Sequence, residues 1–157
     1  MEKVNRLLNN EEYREMLSCI QEAEKERIFC RHDMRHFLDM ARLLHIYCLE
    51  EGIKADKPLI YAIGLLHDIG RAAQYKTGEE HHTASARAAE KLMPDCGFDE
   101  EQTKTAVNAI LSHRSGSEDK FFKLVYKADK KSRLCFECKA RGECNWPKEK
   151  MNLEIEI

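Results

Sequence analysis

The sequence predicts an all-α fold. Apolar residues recur at helical spacing through most of the chain, no stretch alternates as strands do, and only three prolines interrupt 157 residues. The spacing predicts about six helices, each bounded by start and stop signals. The first covers about residues 10–28, with Tyr13, Leu17 and Ile20 on one side. The second runs from Asp33, an N-cap, to Gly52, a C-terminal stop. The third starts after Asp56, carries Pro58 in its first turn and ends near the turn His67-Asp68-Ile69-Gly70. The fourth covers about 80–93 and stops at Pro94. The fifth begins at Asp99, where Gln102 completes a capping box. The sixth follows Ser117 and reaches about Arg133. The expected organisation is one compact helical domain over 1–134 and a cysteine-containing tail, 135–157, packed on it.

A chain of this length suits one domain, which buries roughly 70% of its unfolded surface without staples. The apolar content, 43%, is ordinary for a soluble protein, and the net charge is only −2. That balance argues against a nucleic-acid coat or a membrane-surface protein, both of which need a basic excess. No apolar run approaches the roughly 20 residues of a membrane span. The charged N-terminus has no signal-peptide stretch, so the expected location is the cytoplasm. Seven cysteines in a reducing compartment point to thiols or metal ligands, not disulfides.

The informative feature is where the histidines fall. His36 shares a helix face with Met40, Leu43 and Tyr47, and His67 with Ile60 and Ile63. His113 lies on the stripe of Ala106, Ala109 and Ile110, and Asp129 among Phe122, Val125 and Tyr126. A buried carboxylate needs a cation or several donors, and converging imidazoles repel one another when protonated. A shared metal resolves both conflicts, since it favours neutral imidazole and ionised carboxylate. A single inward histidine is ordinarily a hydrogen-bonded core residue. Four such groups on separate helices, with Asp68 at a helix end, point to a metal site. On the fourth helix His82 falls nearer the centre of the small and apolar stripe (Ser85, Ala86, Ala89, Leu92, Met93) than His81 does. His32 and His45 fit roles outside the centre, with a supporting place left open for each.

These residues, in this order, resemble the HD superfamily of metal-dependent phosphohydrolases. The pattern H…HD…H…H…D reads here as His36, His67-Asp68, His82, His113 and Asp129. The local contexts FCRHDMRHFLDMARLL, GLLHDIGRAAQY, HTASARAAEKL, AILSH and YKADKKSR match as well. The resemblance spans about residues 27–133. It implies a compact HD-domain helical bundle in which His36, His67, Asp68 and Asp129 are the core ligands. His82 and His113 match the extra ligands of the two-metal branch, where Asp68 bridges both ions. Chemistry agrees, since a carboxylate can span two cations and an imidazole serves one. A mixed His/carboxylate set suits iron or manganese better than calcium.

The resemblance further implies hydrolysis of a phosphate ester or anhydride, by a hydroxide held between the ions at near-neutral pH. Arg71 follows the turn directly and offers a planar fork for phosphate; its other reading is a capping or solvent-facing Arg. Lys76, in the Gln74-to-Gly78 loop, is a second candidate for the same task. Lys127, Lys130 and Lys131 read mainly as a solvated face. The expected partner is a small nucleotide, with no membrane and no nucleic acid. Two other classes stay open. Some HD proteins with this ligand pattern hold a mixed-valence di-iron pair and oxidise C–H bonds with O₂. A non-catalytic sensor or binding module would bind metal without turnover.

The tail reads CFECKARGECNWPKEK, and its Cys135, Cys138 and Cys144 are spaced C-x2-C-x5-C. Three close thiols suggest zinc or an iron–sulfur cluster, with Cys30 the best candidate for a fourth ligand. Reduced free thiols are the alternative. Cys19, Cys48 and Cys96 read as ordinary core or surface thiols.

Overall fold

A computed structural model describes residues 1–112 and 118–155 and the backbone of 113–115. Among the described residues there are eight α-helices, two short 3-10 turns and no strand. The helices are α1 (Glu2–Asn9), α2 (Glu11–Ala23), α3 (Met34–Glu50) and α4 (Lys57–Leu66), followed by α5 (Arg71–Thr77), α6 (His81–Asp95), α7 (Glu100–Ser115) and α8 (Lys120–Lys131).

Most of the boundary signals act as expected. Asp33 accepts from the His36 N–H at 3.0 Å and Asp119 from the Phe122 N–H at 3.1 Å. Asp99 and Gln102 close a reciprocal capping box, at 2.8 and 3.2 Å. Three differences have local causes. A separate α1 precedes the first expected helix because Asn10, in extended conformation, ends one helix and caps the next through Tyr13 N–H. The helix expected to reach residue 28 ends at Ala23, and Glu24 turns inward to hold His32. Residues 71–77, expected as turn and loop, form α5, which Gly78 terminates. Pro94 sits within the last turn of α6, where it replaces a donor without stopping the helix before it.

The core joins Leu7, Tyr13 and Ile20 of α1 and α2 to Phe37, Met40, Leu44 and Tyr47 of α3, Ile60 and Ile63 of α4, and Val125 of α8. Each fully buried aliphatic side chain contributes roughly 1.5–3 kcal/mol. The chain packs α3 against both α4 and α8, and α6 against α5 and α7. At Gly64 a Cβ would meet Ala41 Cβ at 2.6 Å and Phe37 O at 2.9 Å. Glycine therefore lets α3 and α4 close on each other, one turn from His36 and His67. No helix of the described chain is long and apolar enough to cross a membrane.

Candidate metal centre

The α3–α4 contact sets two imidazoles edge-on to each other, with an interplanar angle of 69°. His36 Nε2 and His67 Nε2 are 3.1 Å apart, and both rings are buried. Their outer nitrogens decide the tautomers. His67 Nδ1 lies 2.8 Å from the Gly64 carbonyl, which can only accept, so Nδ1 carries the proton. Ser132 Oγ donates to the Asp129 carbonyl at 2.7 Å and must therefore accept from His36 Nδ1 at 3.0 Å. Burial, assisted by the charge of Arg133, pushes the His36 pKa down to about 3, so the ring is neutral near pH 7. His36 Nε2 then presents a lone pair toward His67 Nε2, 3.1 Å away.

Two buried carboxylates complete the group. Asp129 Oδ1 lies 3.5 Å from His36 Nε2 and 3.7 Å from His67 Nε2. Asp68 Oδ2 lies 3.5 Å from His67 Nε2. One donor atom from each of His36, His67, Asp68 and Asp129 falls within 4.8 Å of all the others. Asp68 Oδ1 and Asp129 Oδ1 are fully buried and accept no hydrogen bond. Burial opposes ionisation of both carboxyls. For Asp68 the opposing charge and bonds of His67, His36, His32 and Arg71 prevail, and for Asp129 those of His67, Lys130 and Arg133, so both stay well below the usual carboxylate range. Two imidazoles and two buried carboxylates, each with one donor atom in this cluster, form a donor set that fits a divalent transition metal.

The two oxygens of Asp68 face different neighbours. Oδ2 looks toward His36, His67, His32 (3.6 Å) and Arg133 (3.6 Å). Oδ1 looks toward Arg71 Nε at 3.3 Å and His81 Nε2 at 3.4 Å. Sequence reading chose His82 on this helix, and the structure places His81 there instead. His82 points outward to Glu80 Oε2 at 3.3 Å. The reason is the turn. Gly70 N–H donates to Ser85 Oγ at 2.8 Å, and His81 lies four residues before Ser85, on the same face. The side chain of His113 lies outside the described residues, so its expected place on the site is not described.

Sequence analysis leaves a supporting place open for His32 and misses Glu24 and Arg133. His32 is buried, and its Nε2 faces Asp68 in that supporting place. Its Nδ1 donates to Glu24 Oε1 at 2.5 Å, and its backbone N–H donates to Glu24 Oε2 at 2.6 Å. Tyr75 donates to the same carboxylate. Burial would raise the Glu24 pKa, but these bonds hold it at about 2. A carboxylate that fixes a histidine tautomer in this way commonly stands behind a metal ligand. Arg133 contacts both centre carboxylates and is strapped by donating to the Arg31 carbonyl at 2.9 Å. Its signal in the sequence was its spacing, four residues after Asp129.

A cavity of about 490 Å³ opens over the centre. Arg71 and Arg133 line it, as does Lys130, whose Nζ pairs with Asp129 Oδ2 at 2.7 Å. Lys130 thus belongs to the site and not to a merely solvated face. Lys76, expected in a loop near substrate, stands exposed in the last turn of α5 and is not part of the cavity lining. Tail residues Asn145, Trp146 and Lys150 form the opposite wall.

A helical bundle that converges buried histidines and aspartates on one point beside the His67-Asp68 turn defines a protein built around a candidate metal site. Comparison with known proteins is consistent with this. The HD domain family model matches residues 34–152, and the chain belongs to that family. A Clostridium beijerinckii chain described as an uncharacterized protein is 39% identical over 155 residues, 99% of each chain. Ribonuclease Y 1 of Pediococcus pentosaceus is 27% identical over 104 residues, which is 66% of this chain but 18% of that protein. The crystal structure of a predicted HD superfamily hydrolase from an uncultured Thermotogales bacterium superposes with a TM-score of 0.63 at 25% identity, covering 89% of this chain and 81% of that one.

Proposed function

We infer that this chain is a metal-dependent hydrolase of a phosphate ester or anhydride and that its substrate is a small nucleotide. The reading is carried by the buried Nε2 atoms of His36 and His67, 3.1 Å apart, beside two buried carboxylate oxygens that accept no hydrogen bond. His36, His67, Asp68 and Asp129 would hold one ion. The Oδ1 face of Asp68, with His81, would help hold a second, and iron or manganese suits these donors. A divalent ion bound there acidifies water and polarises a phosphoryl oxygen.

The protein's own groups supply the rest. Arg71 presents a guanidinium fork from the turn, partly exposed to the cavity, and can hold phosphoryl oxygens in two bonds. Lys130 and Arg133 offset the charge of the carboxylates and of a phosphate beside them. Glu24 keeps the proton of His32 on Nδ1, so Nε2 stays open to a ligand or a proton. A cavity of this volume suits a small molecule. Trp146 and Tyr126 at its edge offer flat faces for a base. Ribonuclease Y relatives make a phosphodiester of RNA the natural comparison substrate.

The test is metal analysis followed by a nucleotide panel assayed with manganese, and with iron under anaerobic conditions. Phosphate or nucleotide release that requires metal is the expected result. The Arg71→Ala variant should keep its metal and raise KM about tenfold, close to 1.4 kcal/mol. A metal-loaded protein that releases nothing from the panel, or that couples O₂ consumption to a small substrate, would overturn the reading.

A further inference from the structure

A second set of metal-capable side chains lies outside this centre. Cys30, in the loop before α3, lines a cavity of about 530 Å³ together with Cys135, Cys138 and Cys144 of the tail. The tail folds to bring its three thiols there. The Cys138 N–H donates to the Cys135 carbonyl at 3.3 Å and the Glu137 N–H to the Leu134 carbonyl at 3.1 Å, a tight turn that sets the first two cysteines side by side. The short 3-10 turn Arg141–Glu143 then reverses the chain, and the Cys144 N–H closes it on the Arg141 carbonyl at 3.3 Å. The Asn152 backbone N–H points at the Cys135 sulfur, and the other three thiols all lie within electrostatic reach of it. All four are free cysteines.

We propose that Cys30, Cys135, Cys138 and Cys144 form a structural site for one tetrahedral zinc ion, which ties the tail to the domain. The ligand types and the C-x2-C pair are those of closed zinc sites. The long second interval and the distant fourth cysteine do not follow the tight C-x2-C-x2-C run of a cubane cluster. Four thiolates around one divalent ion leave a net negative charge. Arg27, Arg31, Arg133 and Arg141 line the same cavity and offset it. Arg27 Nε also donates to the Cys30 carbonyl at 3.1 Å, which secures the domain side of the site. No three of these sulfurs stand at ligand spacing: among the described residues the His/Asp centre is the one group of three or more donors within 4.8 Å of one another. Binding must therefore pull the thiols inward. Among the described residues the tail has no helix longer than three residues, so closing it requires turn movement and not the shift of a long helix.

The position gives the ion a consequence beyond stability. Cys30 and Cys144 line both this cavity and the one above the His/Asp centre. Asn145 and Trp146 follow Cys144 directly, and the Trp146 ring lies under Lys130 Nζ at 4.9 Å. Zinc in the thiol site therefore holds the wall that Trp146 gives to the other cavity. Trp146 is the one tryptophan of the chain, so its fluorescence reports on that wall.

The experiment is a cobalt titration of the reduced, metal-free full chain, followed by absorption and by Trp146 fluorescence. The expected result is one equivalent that gives thiolate-to-cobalt charge transfer and the strong visible bands of a tetrahedral ion, changes Trp146 emission, and is displaced by zinc. Asp68→Ala should keep that signal, since it alters only the other centre. Cys135→Ser/Cys138→Ser should lose it, and Cys30→Ser should weaken it at least tenfold in affinity. Should the double variant fail to fold, the wild-type and Cys30→Ser titrations still decide. Absence of a thiolate band, a disulfide among these residues, an iron–sulfur chromophore in anaerobically purified protein, or full affinity in Cys30→Ser would each overturn the proposal.

Discussion

The His/Asp centre and the cysteine cavity are built from different materials. In the centre, donor atoms come from or beside α3, α4 and α8, and each histidine tautomer is fixed from behind by a carbonyl or a hydroxyl. The four donors already stand within 4.8 Å. In the tail, the thiols sit on turns and a loop, and among the described residues they do not stand at ligand spacing. Packed helices can hold mutually repelling groups together without a metal, because moving one would break the core. Turns cannot, so an ion there must supply the closing force itself. The first region is organised before it binds, and the second becomes organised by binding.

The largest expected effect tests the first half of that contrast. Asp68→Ala should abolish metal binding at the centre and turnover together, read by elemental analysis and product release. Near-normal metal content with normal rates would remove Asp68 from its bridging place. Next comes the helix that sequence reading set in the wrong register. His81→Ala should lower turnover more than a hundredfold, beyond the usual loss for a supporting residue. His82→Ala should leave it within about twofold, as expected for a residue remote from the chemistry. Equal losses in the two variants would contradict the geometry.

Glu24→Gln tests whether fixing a tautomer from behind matters. It should cost about 10–100-fold in metal affinity or activity while the fold persists, read by competitive chelation and circular dichroism. A separate test concerns protons. His36 is neutral when folded, with a pKa of about 3 against 6.5 in a free histidine. The unfolded chain binds a proton first, so the metal-free protein should lose stability as pH falls from about 6.5 toward 3. The slope is about 1.4 kcal/mol per pH unit for one such group. Urea unfolding across that window measures it, and His36→Gln should flatten the curve. An unchanged slope in the variant would show that other groups dominate.

The parts of the site that could be read from sequence follow from the same physics. His36, Asp129 and the His67-Asp68 pair stand on or end strongly periodic helices, where an ionisable group on an apolar face is conspicuous. His81 and His82 open a helix whose start is ambiguous, and adjacent residues differ by only about 100°. The contact that decides between them, Gly70 against Ser85, is tertiary and leaves no periodic trace. His32 and Glu24 lie in the connection after α2, and Arg133 follows α8, where periodicity ends. The short helices α1 and α5 were hidden for a similar reason, since each carries barely two turns and draws its stability from neighbours.

At Gly70 a Cβ atom would come within 2.2 Å of the His81 carbonyl oxygen and 2.3 Å of the Ser85 nitrogen. Main chain there rests on main chain, with no compliant side chain in between. The distance from the aspartate that ends one helix to the imidazole that begins another is thus gauged by bare peptide, like two plates clamped without a gasket. Adding one methyl at this joint would act as a shim, widening the jaws while every donor residue remained in place.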